Sequence, residues 1–184
     1  MSFIPKKPNN APINVALVSA IDAFMCANKI LIGVDSPMNW QPGRELGSNE
    51  FTVKIPIEVN GEISGQKLII NSYPNVDPIK FNILISFESA ICRLDWDEGA
   101  IHSNSHATDG ENINPIIRGV HYHPWGLNKR FFTHSSRVIE LHNAIEYGQN
   151  IHQFDSALRW FCDENKITLS HNHRIELPKK GLLF

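Results

Sequence analysis

No stretch of this sequence is both long and apolar enough to cross a bilayer. The run from Ala16 to Ala27 is broken by Ser19 and Asp22, and a spanning helix needs about 20 apolar residues. The N-terminal segment MSFIPKKPNNAP also lacks the uninterrupted apolar core of a secretory signal, because prolines and asparagines interrupt it. The expectation is a cytoplasmic protein with no membrane role. Cysteine is scarce: Cys26, Cys92 and Cys162 lie far apart and form no CxxC pair. Such usage argues for buried thiols in a reducing compartment rather than a disulfide framework. Phosphate-cradling glycine patterns are missing, with neither GxxxxGK[ST] nor a GxGxxG after a strand. No Gly-x-Ser-x-Gly is present either, so serine acyl transfer is not expected. The formal net charge is only −2, so a nucleic-acid partner would need a local basic patch.

What remains is the composition of one globular domain. The 184 residues carry 42% hydrophobic and 20% charged side chains, which suits one well-buried core and is too short for two ordinary domains. We read a single domain over 1–184, with a proline-rich arm at 1–14, a long loop at 33–50 and a polar loop at 97–117.

Val15 to Asn28 reads as a helix, since Leu17, Val18, Ile21, Phe24 and Met25 recur at helical spacing and Asn14 can cap the first turn. In the long loop, Trp40 is the residue placed to pin the chain to the core. Phe51 to Val59 alternates apolar and polar residues, which predicts a half-buried strand. Asn60-Gly61 then marks a tight hairpin turn into a return strand over 62–72. Further strands are expected at Ile79–Phe87, Ala90–Trp96 and Arg118–Trp125. Val138, Leu141 and Ile145 share one helical face before Gly148, and Asn150 opens another helix striped by Ile151, Phe154, Leu158, Phe161 and Cys162. A short last strand falls within Ile167–Leu177. The fold class predicted is α+β: an antiparallel sheet of four to five strands with an N-terminal helix and two C-terminal helices packed on it.

All nine histidines follow residue 101, and charge is just as uneven. From Glu88 to Glu111 there are six acids and one base, Arg93, whereas Arg118 to Arg137 holds four bases and no acid. His121-Tyr122-His123 on a strand would aim both imidazoles at one face, and Arg93-Leu94-Asp95 would do the same with its two charges. Imidazole both gives and takes protons near neutrality. Two of them beside an arginine suit metal-independent cleavage of RNA, one deprotonating the ribose 2′-hydroxyl and the other protonating the leaving oxygen. The same histidines with Asp95 also suit an open zinc or manganese site built from His102, His106, His121, His123 and Asp95. The plainer alternative is a solvated strand edge beside a structural ion pair. His171-Asn172-His173 spells HNH, but three residues in a row are not the nuclease motif of that name. His142 and His152 sit within helical patterns, as core-edge or surface residues.

Read in order, Arg93-Leu94-Asp95, Gly99, His102-Ser103-Asn104, Gly110 and His121-Tyr122-His123 resemble a small bacterial domain family with an RxD…G…HxN…G…HxH pattern, similar at a distance to TumE-like toxins of toxin–antitoxin pairs. The resemblance covers roughly residues 79 to 165. It implies an activity on RNA or translation, held in check by a cognate antitoxin or other protein partner. Carried over, Arg93, Asp95, His102, Asn104, His121 and His123 would form the catalytic site, needing no cofactor. Arg118, Lys129, Arg130 and His134 would be placed to bind substrate. The chain departs from the pattern in the Pro124-Trp125 that follows the second histidine, and in its N-terminal helix and long loop. Three readings therefore stand: a ribonuclease-like toxin, a metal-dependent hydrolase, and a non-enzymatic interaction protein of bacterial or phage origin acting in defence or counter-defence.

Overall fold

The computed structural model describes residues 13–34, 38–43, 49–108, 111–132, 140–148, 153–169, 175–179 and 181. Helix α1 spans Val15–Cys26 and is followed by strands β1 (Lys29–Leu31), β2 (Gln41–Pro42), β3 (Phe51–Val59), β4 (Glu62–Tyr73), β5 (Lys80–Phe87) and β6 (Ser89–Trp96). After them come β7 (Ile101–Ser103), β8 (Ile116–Arg118), β9 (His121–His123), the short helix α2 (Trp125–Asn128), a 3-10 turn at Lys129–Phe131, β10 (Ile145–Glu146), α3 (Phe154–Glu164) and β11 (Ile167–Thr168). The α+β class is as expected, but the sheet is larger than four to five strands. Its order is β10-β9-β6-β5-β4-β3-β1-β11, with β2 on β3, and β7 and β8 form a separate ribbon.

The long meander follows the sequence pattern closely. Val53, Ile55 and Ile57 of β3 share a face with Leu68 and Ile70 of β4 and with Ile83 and Ile85 of β5. Asn60 and Gly61 turn the first hairpin with φ of 53° and 83°, values that an Asn-Gly pair adopts at little cost. At the start of α1 the Asn14 side chain accepts from the Leu17 N–H, as an N-cap should. Ile21 and Phe24 of α1 and Ala157, Leu158, Phe161 and Cys162 of α3 join the strand residues in one buried cluster. Phe24 meets Phe87, and Phe154 meets Phe81 edge to face, so both helices cover the same side of the sheet. A bulge between β5 and β6 buries both Ile91 and Cys92. Trp40 does pin the long loop: it packs on the core and donates Nε1–H to Glu176 O at 3.1 Å.

Four expectations need correcting. Leu141 lies in no helix and Ile145 lies in a strand, paired with Tyr122; the main-chain groups of this segment are held by β9 and by side chains, so helix periodicity is overridden. His142 therefore lies in no helix. The proposed strand over 118–125 is divided at Gly119, where φ is 81°, so that β8 pairs with β7 and only β9 joins the sheet. Of the last strand, Ile167–Thr168 is the part formed among the described residues, and it runs parallel to β1. Among the thiols, Cys92 and Cys162 are buried as expected, and burial pushes both up to about 12. Cys26, however, is exposed. Gly110, His134, Val138, Asn150, Ile151, His152, His171, Asn172 and His173 lie outside the described residues.

Candidate metal centre

Antiparallel pairing of β6 with β9 sets Arg93 opposite His123, Leu94 opposite Tyr122 and Asp95 opposite His121. Because side chains alternate, Leu94 and Tyr122 turn into the core while the two charges and two imidazoles share the other face. Tyr122 is fixed on the core side by Trp160 and Phe161 and by its hydroxyl, which donates to Asn165 Oδ1 at 3.1 Å. The opposite orientation of His121 and His123 is thereby fixed as well, since a one-residue slip would bury the imidazoles among hydrocarbon.

The β7–β8 ribbon brings in the third histidine. His102 lies with its ring centroid 5.1 Å from that of His121 and 4.7 Å from that of His123. One ring nitrogen from each of His102, His121 and His123 lies within 4.8 Å of the other two. Each ring also has a nitrogen on a main-chain carbonyl: His121 Nδ1 on Gly119 O at 2.8 Å, His123 Nδ1 on Asn143 O at 3.1 Å, and His102 Nε2 on His142 O at 3.0 Å. A carbonyl only accepts, so those nitrogens carry the protons. The nitrogens left with lone pairs in the neutral rings are His121 Nε2, His123 Nε2 and His102 Nδ1. Gly119 earns its place here, because its positive φ turns the chain so that its own carbonyl meets His121 two residues on.

Asp95 completes the cluster. Its Oδ2 lies 3.4 Å from His121 Nε2, 3.2 Å from His123 Nε2 and 2.8 Å from Arg93 Nη2. Burial alone would raise the pKa of this carboxyl, but hydrogen bonds from His121 and His123 and the Arg93 charge outweigh it and hold it well below the usual carboxylate range. At His121 burial also opposes charge, yet the bonds to Asp95 and Gly119 prevail and raise its pKa. At His123 burial wins over the bond to Asp95 and lowers the pKa, and His102 is lowered for the same first reason. His123 is 0% exposed, and Asp95 Oδ2 is the polar atom that its Nε2 faces.

The supports of the site are less visible in sequence than its members. Residues 142–144 form a rail beside β9. His142 and Asn143 supply the carbonyls that hold His102 and His123, while Ala144 is gripped by Asn104, whose Nδ2 donates to Ala144 O at 2.9 Å and whose Oδ1 accepts from Ala144 N at 2.7 Å. Asn128 grips Asn143 in the same two-way fashion, at 2.8 and 2.9 Å. Asn104 is thus a clamp, with its amide committed to main chain. His106 stands apart from the three converging rings, packed between Phe131 and His142. Lys129 pairs with Asp22 on α1, Arg130 forks onto Glu111 with Nη2 at 2.9 Å from Oε2, and Arg118 is exposed on β8. The Arg130–Glu111 pair does bring the acidic and basic stretches together. His134, the last of the proposed substrate contacts, lies outside the described residues.

A cleft of about 370 Å³ opens beside Asp95 and His121, walled also by Tyr73, Lys80, Asn82 and Asp97. No helix among the described residues is long and apolar enough to cross a membrane. Set against family models, curated proteins and solved structures, the chain finds no match, and its chemistry is read from the site itself.

Proposed function

We propose that this chain holds a divalent transition metal, zinc foremost, on His102, His121 and His123, and works as a metal-dependent hydrolase in the adjoining cleft. One observation carries the reading: each imidazole has one nitrogen on a main-chain carbonyl, and one ring nitrogen from each lies within 4.8 Å of the other two. Metal-binding histidines are oriented in this way, because the outer hydrogen bond fixes the tautomer and makes the ligating nitrogen more basic. The three ring nitrogens, within 4.8 Å of one another, would draw in around a zinc ion, and Asp95 already stands at ligand spacing from two of them. Ligand bonds of about 2.0–2.1 Å in a tetrahedron place neighbouring ligand atoms about 3.3 Å apart, and Asp95 Oδ2 lies 3.2 and 3.4 Å from two of the nitrogens. Imidazole-rich donor sets favour zinc over manganese, which prefers oxygen ligands.

Without a cation, the Nε2 atoms of His121 and His123 can meet the ionised Asp95 carboxylate favourably only when they carry protons, whose place a metal would take. The burial of His121 and His123, 5% and 0% exposed, supports ligation over proton exchange with a polynucleotide. A bound metal would lower the pKa of a coordinated water toward neutrality, supplying the nucleophile of a hydrolase. The test is elemental analysis of protein purified without chelator, followed by zinc titration of the EDTA-stripped protein. About one zinc per chain, lost in His123→Ala, is expected; a wild-type protein that takes up no zinc, manganese, cobalt or nickel would overturn the proposal.

A further inference from the structure

The outer face of the sheet carries a polar rung that ends at the cleft. Thr52, Asn71, Asn82, Asp95 and His121 are successive cross-strand partners through β3, β4, β5, β6 and β9. Thr52 Oγ1 donates to Asn71 Oδ1 at 2.8 Å, and Asn71 Nδ2 donates to Asn82 Oδ1 at 2.9 Å. A threonine hydroxyl can donate or accept, so the two amides could also run in the opposite sense. Asp95 settles the direction. Its ionised carboxylate is the next partner along the rung, and it attracts an amide NH₂ where it would repel an amide oxygen. The acceptor of Asn82 is thus occupied, and its NH₂ is turned toward the wall it shares with Asp95 and His121.

The rest of the cleft restricts what can enter. Lys80 is committed to Asp97 at 2.7 Å, and Arg93, at the cluster, to Asp95 at 2.8 Å. Asp95 and Asp97 thus offset both cations, and an anionic phosphodiester would meet these carboxylates as it entered. Tyr73, Val76 and Ala100 offer apolar surface instead. About 370 Å³ is room for a small organic molecule.

We infer, on the footing of the metal centre, that the cleft takes a small uncharged ester or amide whose carbonyl oxygen accepts a hydrogen bond from Asn82 Nδ2. Water is the co-reactant. Its oxygen lone pair forms the new bond to the acyl carbon, and the carbonyl π electrons move onto the oxygen that Asn82 holds. When the carbonyl re-forms, the bond to the alcohol or amine breaks, and the leaving group takes up the proton the water gave. The products are a carboxylic acid and an alcohol or amine. Asn82 acts here as an oxyanion donor oriented by Asn71 and Thr52.

The test uses the full chain loaded with zinc, its zinc content measured on the same sample, with 4-nitrophenyl acetate and bis(4-nitrophenyl) phosphate as probes. Saturable hydrolysis of the ester is expected, with the phosphodiester at least about 100-fold slower. Asn82→Ala should lower kcat for the ester by about 100-fold, as loss of one oxyanion donor does, at unchanged zinc content. Asn82→Val, β-branched and without a donor, keeps strand propensity and should show the same loss if the alanine variant unfolds. Faster cleavage of the phosphodiester, or full activity in both Asn82 variants, would overturn the inference. Zinc-loaded protein that hydrolyses neither probe would overturn it too while leaving the metal centre standing, whereas protein that binds no zinc removes the footing itself.

Discussion

His123 is held from behind by Asn143: its Nδ1–H meets the Asn143 main-chain oxygen at 3.1 Å, and that same oxygen accepts from Asn128 Nδ2 at 2.8 Å. A buried imidazole is thus aimed by a carbonyl that a neighbouring amide keeps in place. Removing Asn128 would free the rail without touching a ligand. Asn128→Ala should weaken zinc binding by about 10–100-fold and lower stability by about 1–3 kcal/mol, since it leaves buried main-chain groups unpaired. Isothermal titration with zinc and urea unfolding read the two effects separately. An unchanged zinc affinity would show that the rail plays no part in aiming His123.

The converging rings and the ring beside them make a matched pair of variants. His121→Ala should reduce zinc affinity by more than about 100-fold, because one of the metal's ligating nitrogens is removed outright. His106→Ala, whose ring packs on Phe131 and His142, should leave zinc stoichiometry as it was. Equal loss in both would mean that the ion sits elsewhere in the histidine-rich region.

Stability should follow burial along the sheet. Ile83 is 0% exposed at the centre of the core and Ile63 is 69% exposed near the first hairpin. Ile83→Ala should cost about 2–5 kcal/mol, and Ile63→Ala less than about 0.5 kcal/mol, both read by urea denaturation. A small cost at Ile83 would contradict the two-helix cover over that face.

Lys29 sets a pH dependence of its own. Its ammonium is buried, bonded to Met25 O and Ala27 O, and burial lowers its pKa from 10.5 to about 8. Between those values the folded chain holds fewer protons than the unfolded one, so this residue makes stability rise with pH through that window. Denaturation midpoints of the wild-type protein, taken relative to Lys29→Met, should increase from pH 8 to pH 10. A flat difference would mean the lysine keeps its ordinary affinity for protons.

Much of this was legible in the sequence where a pattern repeats over several residues. The alternation at Phe51–Val59, the Asn60-Gly61 turn and the stripe of Phe154, Leu158, Phe161 and Cys162 each led to the element found. Short or isolated pieces misled. The Leu141–Ile145 spacing is compatible with a helix, and nothing local reveals that β9 and two asparagines hold the main chain instead. The residues of the RxD and HxH patterns do meet, because strand alternation is a local rule, and His102 joins them. Asn104 stood in the same pattern but belongs to the scaffold. Asn82, Asn128 and Asn143 were missed altogether, since a lone asparagine carries no periodic signal; the alternation of Asn71 with Ile70 and Ser72, and of Asn82 with Phe81 and Ile83, was the one available hint that two amides face the same way.

The placement of β1 between β3 and β11 bears on how the protein is made. Lys29 pairs with Val59 on one side and with Ile167 on the other, so on a ribosome one neighbour is at hand long before the second. Until residues 167–168 emerge, the far edge of β1 stays open. Closing that edge is a long-range step of the kind that slows folding. The nascent chain thus carries an unfinished seam through most of its synthesis, and the last parallel rung is what seals it.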